Sequence, residues 1–360
     1  MSEQASVLPD IAGPAVSASP VPLAHRNPLR LFIGRDAIMV YTLLAVVLIA
    51  MVRVDRFAST ATVGFMLLDV IPVLLIAMPM TLIIISGEID LSVASTAGLT
   101  SACMGVMWES GMSMWLVLPL CLLVGLVAGA FNGVLIAALG LPSIAVTIGT
   151  LALFRGLALV VIGDDAVASF PAGLTEFTTS KLGGTGIPTV MIGVIALVAL
   201  FGVLLHFTTF GRGLVALGFS SEAAAFVGIK VPRVKFMLFV AAGFVSALSG
   251  IFWTLRYSSA RSDNAAGLEL AVIAAVLLGG VSIFGGKGSI PGVVAGVLLI
   301  GTINHALRLG RVSDEVLIIV TGSLLIASVI TPRLVDGVKQ LRHRRRLRRD
   351  LPAVDAAGVN

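Results

Sequence analysis

Charge is scarce in this chain. Asp, Glu, Lys and Arg together make 12% of its 360 residues, about half the share of an ordinary soluble domain. That scarcity excludes a water-soluble globule, which could not cover so much apolar surface. Cysteine is nearly absent. Cys103 and Cys121 both sit in apolar stretches with no CxxC or Cys/His spacing, which excludes a disulfide framework and a structural zinc. The four histidines, at 25, 206, 305 and 343, are scattered, and no HExxH occurs. A phosphate-cradling P-loop is missing as well. The nearest string, Phe284-Gly-Gly-Lys-Gly-Ser, has Val281 where the first glycine belongs and Gly288 after the lysine. No paired nucleophile and base, and no pair of carboxylates, has the form a membrane hydrolase needs. Aromatics are few, at 6%, so the net charge of +5 comes without the aromatic-basic platform of a nucleic-acid binder. The expectation is a chain without catalytic residues, metal or cofactor, and without an ATPase site of its own.

What is present is apolar. Hydrophobic residues make 58% of the chain and its mean hydropathy is +1.07. Crossing the hydrocarbon core takes about 20 apolar residues as a helix. Counting on that basis places ten spans near 37–54, 64–86, 91–108, 115–139, 143–162, 188–207, 235–255, 267–284, 289–306 and 315–332. The third and eighth are short and contain glycine. The expected fold is therefore an all-α polytopic membrane protein of about ten transmembrane helices. Residues 1–35 read as a disordered tail, 36–333 as the transmembrane domain and 334–360 as a basic tail. Eight of the 24 Lys and Arg residues follow Thr331. With the N-terminus inside, 16 basic residues fall on inner segments and seven on outer ones, which places both termini in the cytoplasm.

Two connections are long. Residues 163–187 carry Asp164, Asp165, Glu176 and one lysine, as suits an outer loop. Residues 208–234 are basic and hold a two-turn helix signal. Ser220 and Ser221 can cap it, Glu222 lies in its first turn, Gly228 can end it and Pro232 follows. An internal repeat is also suggested. Gly87-Glu-Ile-Asp-Leu-Ser matches Gly267-Leu-Glu-Leu-Ala, and each half later carries Val-Ala-Gly followed by an intramembrane Asn, Asn132 or Asn304. On this topology the repeat is inverted.

Polar residues in hydrocarbon are costly, and they face a pathway or one another. The candidates are Asp69, Glu88, Asp90, Asn132, Arg155, Glu269, Asn304 and His305, with Ser86, Ser92, Ser95, Thr96 and Thr100 beside the first acids. Interhelical bonding accounts for such residues taken singly. The cluster from Ser86 to Thr100 points to gating or a pathway. Gly125-Leu-Val-Ala-Gly129 is a GxxxG pattern and signals close helix packing.

Several strings resemble one family. Gly87-Glu-Ile-Asp-Leu-Ser-Val93 looks like the GGIDLSVG signature of ABC sugar permeases of the ribose/xylose/rhamnose type. Leu141-Pro-Ser-Ile-Ala-Val-Thr-Ile-Gly-Thr-Leu151 is similar to their next segment. Phe210-Gly-Arg-Gly-Leu-Val-Ala-Leu-Gly218, followed by Glu222-Ala-Ala-Ala-Phe-Val-Gly-Ile229, resembles their cytoplasmic coupling segment. Val276 to Ser289 looks like their late Gly-rich hairpin. The resemblance covers about 60–335. It implies a multi-pass permease of a bacterial inner membrane that takes sugar from a periplasmic binding protein. It also implies pairing with a second permease chain as a homo- or heterodimer, and docking to a cytoplasmic ATPase subunit. Gly218, Ser221, Glu222, Ala223, Ala224 and Gly228 carry the coupling role by that resemblance. Glu88, Asp90, Ser92, Thr96, Asn132, Glu269 and Asn304 are the expected pathway or gating residues.

The chain departs from the pattern in places. Glu88 stands where glycine is common, Ala94 likewise, and Phe219-Ser-Ser replaces a Gly-Asn turn. Ser262-Asp263-Asn264 looks closest to rhamnose-type permeases, which makes rhamnose the expected cargo and autoinducer-2 or a pentose the alternative. A different class, an ion-coupled carrier using Glu88, Asp90 or Glu269, would need no coupling helix.

Overall fold

The computed structural model describes residues 35–330. The tails expected at 1–35 and 334–360 fall outside them, apart from Arg35. A helix stands at each of the ten expected apolar segments. α1 (Arg35–Arg53) is followed by α2 (Thr60–Ile85) and α3 (Val93–Glu109). α4 (Met114–Gly133) runs on into a π turn, Val134–Ala138, and α5 covers Ser143–Ile162. The long connection after α5 holds a short strand β1 (Val167–Ala168) and helix α6 (Ala172–Thr179). α7 (Met191–Phe207), α8 (Thr209–Phe219) and α9 (Ser221–Phe226) follow. α10 (Val231–Tyr257), β2 (Ser259–Ala260), α11 (Leu268–Leu278) and α12 (Ile290–Leu309) come next. A last helix, α13, spans 314–330.

Six of these are long and apolar enough to cross a membrane singly: α1, α2, α4 with its π turn, α5, α10 and α12. α7 and α8 pass together but are bent by 69°. α3 has 17 residues, and α11 has only 11. At 1.5 Å per residue α11 rises about 16 Å, roughly half the hydrocarbon thickness. Its early stop has a packing cause. A Cβ on Gly279 would lie 2.5 Å from the Cα of Val293 on α12, so the chain turns where α12 crosses it.

α2 is the hub. Past Asp69 it is apolar all round, and from Leu74 to Ile85 every residue is buried. A helix without a polar face has no surface for water and belongs inside. α10 lies along α4 through a glycine seam. Cβ atoms built on Gly125, Gly129 and Gly243 would come to 2.4, 2.4 and 2.1 Å from the carbonyl oxygens of Gly243, Phe239 and Gly125 respectively. The GxxxG pattern thus does the packing expected of it. α1 instead makes a small cluster, Met39 with Ala295 and Leu299 of α12, and Leu43, Val46, Leu278 and Ile303 packed against them. The rest of its apolar surface, Leu44, Leu48, Ile49 and Val52 among it, is exposed and suits lipid.

The connection 208–234 differs from the sequence reading in one respect: it holds two helices, not one. Thr208 caps α8 by accepting a hydrogen bond from the Gly211 amide at 3.2 Å. Ser220 caps α9 by accepting from Ala223 N at 3.1 Å, and Gly228 follows with φ +88°. The two strings read as a repeat each open on a left-handed glycine, Gly87 at +87° and Gly267 at +82°, but the first follows α2 directly whereas the second follows α10 only after the segment 258–266.

Candidate functional site

Polar side chains gather at four places. The first is the link 86–92, between α2 and α3. Asp90 accepts from Ser92 N at 2.9 Å and from Ser92 Oγ at 2.6 Å, an Asx turn closed by a hydroxyl. Asn132 Nδ2 on α4 donates to the same Ser92 Oγ at 2.8 Å. Thr96 and Ser95 donate to the Ser92 carbonyl at 2.9 and 2.8 Å. The link also leans on α5: Ile89 N donates to Ser143 Oγ at 3.2 Å, and Thr147 Oγ1 donates to the Ile89 carbonyl at 3.3 Å. Glu88 pairs with Lys235, the fifth residue of α10. Asp90, Ser92, Thr96 and Asn132 are all buried. One acceptor, Asn132 Oδ1, has no partner among the described residues. This network pins α2, α3, α4, α5 and α10 together. Four expected pathway residues are thus brought into one cluster, and the charge of a fifth, Glu88, is met by lysine.

The second place is toward the opposite end of α2. Asp69 pairs with Arg256, the penultimate residue of α10, and its other oxygen lies 3.4 Å from His305 Nδ1 on α12. The Arg256 guanidinium stacks 4.8 Å from the Tyr257 ring centroid. These contacts join α2, α10 and α12. Asn304 is next to His305 but apart from the link, with its Oδ1 buried and unpartnered among the described residues.

The third place is the segment 258–267, which descends beside the middles of α3 and α5. Arg155 Nη1 donates to the carbonyls of Ser262 and Asn264, both at 2.9 Å. Asn264 Nδ2 donates to Ser101 Oγ at 2.8 Å, and Ser101 shares a 2.6 Å hydrogen bond with Thr254. A two-residue ladder, Val167 with Ala260 and Ala168 with Ser259, ties the segment to the long connection after α5. Arg261 holds Asp263 with contacts of 2.9 and 3.3 Å and keeps its carboxyl below the usual range. Glu269 lies just beyond, with Oε2 buried and unpartnered among the described residues. Glu269 and Asn304 are therefore not brought to the link by the fold.

The fourth place is α9 and its neighbours. Ala224 is buried and seats the helix, while Phe226 and Val227 are 92% and 75% exposed. Gly218, just before α9, touches two other segments. A Cβ there would lie 1.9 Å from the Ile85 carbonyl oxygen and 2.3 Å from Gly286 N. Gly286 N itself donates to the Ile85 carbonyl at 2.8 Å. The stretch before α9, the Gly-rich turn 279–289 and the end of α2 thus meet backbone to backbone. Ile85 is followed directly by the link 86–92, so any shift of Gly218 bears on it.

The sequence reading missed Lys235 and Arg256 as pairing residues, counting both as loop charges. Each lies near an end of α10. The signal for Lys235 was an acid in an apolar stretch, Glu88, in need of a cation. Arg256 and Asp69 are 187 residues apart in sequence, and no local pattern connects them.

Comparison with known proteins places the chain. The family model described as branched-chain amino acid transport system / permease component matches residues 62–329. The autoinducer 2 import system permease protein LsrD of Photorhabdus luminescens is 36% identical over 268 residues, covering 73% of this chain and 80% of the relative. The protein of that name from Klebsiella pneumoniae subsp. pneumoniae is 33% identical over 308 residues, covering 84% and 92%. That from Yersinia enterocolitica is 36% identical over 268 residues, covering 73% and 80%. No solved structure gives a significant match. A bundle of apolar helices broken at polar links, matched over most of its length, makes this chain a multi-pass membrane permease that belongs to the branched-chain amino acid transport system permease component family.

Proposed function

We propose that this chain is the translocating subunit of an ATP-driven importer for a small, neutral, hydroxylated solute of the autoinducer-2 class. The relatives reported above carry the autoinducer-2 name and not rhamnose, so autoinducer-2, the alternative at the sequence level, replaces rhamnose as the preferred cargo. The observation that carries the ATP-driven part is α9. It is a short capped helix, seated by Ala224, that turns Phe226 and Val227 outward and is joined through Gly218 to the end of α2. An exposed apolar pair at an inner loop is a docking feature rather than a lipid contact. Its partner would be a separate ATPase subunit, with Ser221, Glu222, Ala223, Ala224 and Gly228 shaping the contact.

On this reading ATP closes the ATPase subunits and displaces α9. The backbone joint at Gly218 passes that displacement to Ile85, and the Asp90–Ser92–Asn132 network with the Glu88–Lys235 pair switches as one gate. Solute arrives from a periplasmic binding protein and passes beside a second permease chain. Both termini lie in the cytoplasm of a bacterial inner membrane. An ion-coupled carrier would need free intramembrane acids; Glu88 is occupied by Lys235 and Asp90 is bonded by Ser92, which leaves Glu269 as the one acid of the three without a partner among the described residues.

The test is uptake by proteoliposomes holding the permease, its ATPase and its binding protein. Labelled autoinducer-2 enters only with internal ATP, a tenfold excess of rhamnose does not compete, and collapsing the membrane potential changes nothing. Uptake that stops with the potential while ATP is present would transfer the chain to the ion-coupled class.

A further inference from the structure

The Gly-rich turn between α11 and α12 is tightly fixed, and it carries a large apolar side chain at its apex. Hydrogen bonds set its shape. Ser282 N donates to the Lys287 carbonyl at 2.9 Å, and Gly285 N donates to the Ser282 carbonyl at 2.9 Å. Phe284 N donates to Ser282 Oγ at 3.3 Å. Gly285 and Gly286 have φ of +80° and +72°, a region that suits glycine alone. Both are buried, and a Cβ on Gly285 would lie 2.8 Å from the Gly218 carbonyl oxygen. The glycines thus anchor the turn to the stretch before α9. Its other side is open: Phe284 is 67% exposed, and Lys287 is exposed too. Turn apices ordinarily hold Gly, Asn, Asp or Ser, so a phenyl ring held out at this one calls for a reason beyond the turn.

The turn adjoins the surface assigned above to the ATPase. A Cβ on Gly286 would lie 2.9 Å from Cδ1 of Phe219, so the Phe219 ring lies against the turn. Phe219 ends α8 and is 65% exposed. Ser220, directly after it, caps α9, which is followed by the exposed pair Phe226 and Val227. Arg212, Lys230 and Arg233 in the same connection are exposed as well. A segment that lies on a membrane surface is an amphipathic helix with one continuous apolar face. Here the apolar residues come from separate pieces of chain, the end of α8, the end of α9 and the turn. They are fixed against one another by backbone contacts at Gly218 and Gly286. Aromatic anchors on a rigid frame, rimmed by cations, are the make-up of a protein interface.

We infer that the turn 282–287 is a second docking point for the ATPase subunit, with the Phe284 ring seated in an apolar pocket of that subunit and Lys287 against an acidic rim beside it. This rests on the importer reading above. It makes the contact two-pronged. α9 is joined through Gly218 to the end of α2, whereas the turn leads straight into α12, which Ser289 caps by accepting from Gly292 N at 3.2 Å. One movement of the ATPase then bears on α2 and α12 together.

The test is photocrosslinking in the full complex in proteoliposomes, with p-benzoylphenylalanine in place of Phe284 or, in a separate chain, of Phe226. Both positions are expected to give a covalent adduct of permease and ATPase. An adduct from 226 without one from 284 overturns the second docking point and leaves the importer reading standing. Capture at 284 of lipid alone, or of a second permease chain alone, does the same. No ATPase adduct from either position removes the importer reading itself. A second measurement avoids the bulky probe. Phe284→Asp lowers the affinity of the purified permease for its ATPase at least tenfold, whereas Phe284→Leu, which keeps an apolar side chain, loses much less. Wild-type affinity in Phe284→Asp, or equal loss in both variants, overturns the proposal.

Discussion

Gly243→Leu is expected to disrupt the bundle. Even a methyl group there meets the Gly125 carbonyl oxygen at 2.1 Å and Gly129 N at 2.7 Å. Both are backbone atoms of α4, so no rotamer change relieves the clash, and the two helices must separate. Overpacking of this kind costs about 1–3 kcal/mol in cores that can adjust, and more where they cannot. Van der Waals packing is the main attraction between helices in lipid, so the loss of close approach is not offset by a hydrophobic gain. The expected outcome is a thermal midpoint in detergent lowered by roughly 5–10 °C for Gly243→Ala and loss of the folded permease for Gly243→Leu. Gly202→Ala on α7 is the control. Nothing lies within 4 Å of its added Cβ, and alanine favours a helix over glycine by about 1 kcal/mol, so stability holds or rises. Equal behaviour of the two alanine variants would refute the seam.

Gly218→Ala is expected to separate ATP hydrolysis from transport. The added methyl would sit 1.9 Å from the Ile85 carbonyl oxygen and 2.3 Å from Gly286 N. It would prise apart the three strands of backbone that meet there and break the Gly286 N to Ile85 O hydrogen bond. The glycine seam of α4 and α10 lies elsewhere and remains. The permease therefore still assembles with its ATPase, hydrolysis continues, and solute moved per ATP falls at least tenfold. Gly228→Ala is a milder change: φ there is +88° but the space is open, so the cost is about 1 kcal/mol of backbone strain. A wild-type ratio of solute to ATP in Gly218→Ala would show that motion does not pass through this joint.

Much of the frame was legible because it is one-dimensional. Runs of apolar residues report spans, and Ser220 three residues before Ala223 reports a cap. What escaped is three-dimensional or is set by neighbours. α8 was hidden because Gly211, Gly213 and Gly218 punctuate it like a loop. Those glycines serve contacts instead: a Cβ on Gly211 would lie 2.0 Å from the Leu205 carbonyl oxygen. The span expected at 267–284 ends at Leu278 because of α12, which nothing in its own composition announces. Among the expected pathway residues, Ser92, Thr96, Asp90 and Asn132 proved to be one network, while Glu269 and Asn304 sit in separate surroundings. Periodicity and residue type identify an intramembrane polar group but not its partner.

The central claim is that this permease is driven through α9 by a separate ATPase. The most direct measurement is capture of the tagged chain from gently solubilised native membranes, beside a Glu222→Arg, Phe226→Asp variant, with the co-purifying subunits identified by mass spectrometry. Both substitutions lie on the exposed part of α9 and leave the buried Ala224 in place. The account predicts that an ATPase subunit accompanies the wild type and is lost from the variant, which remains folded and membrane-inserted. An ATPase retained by the variant, or absent from the wild type under conditions that preserve comparable complexes, would contradict it.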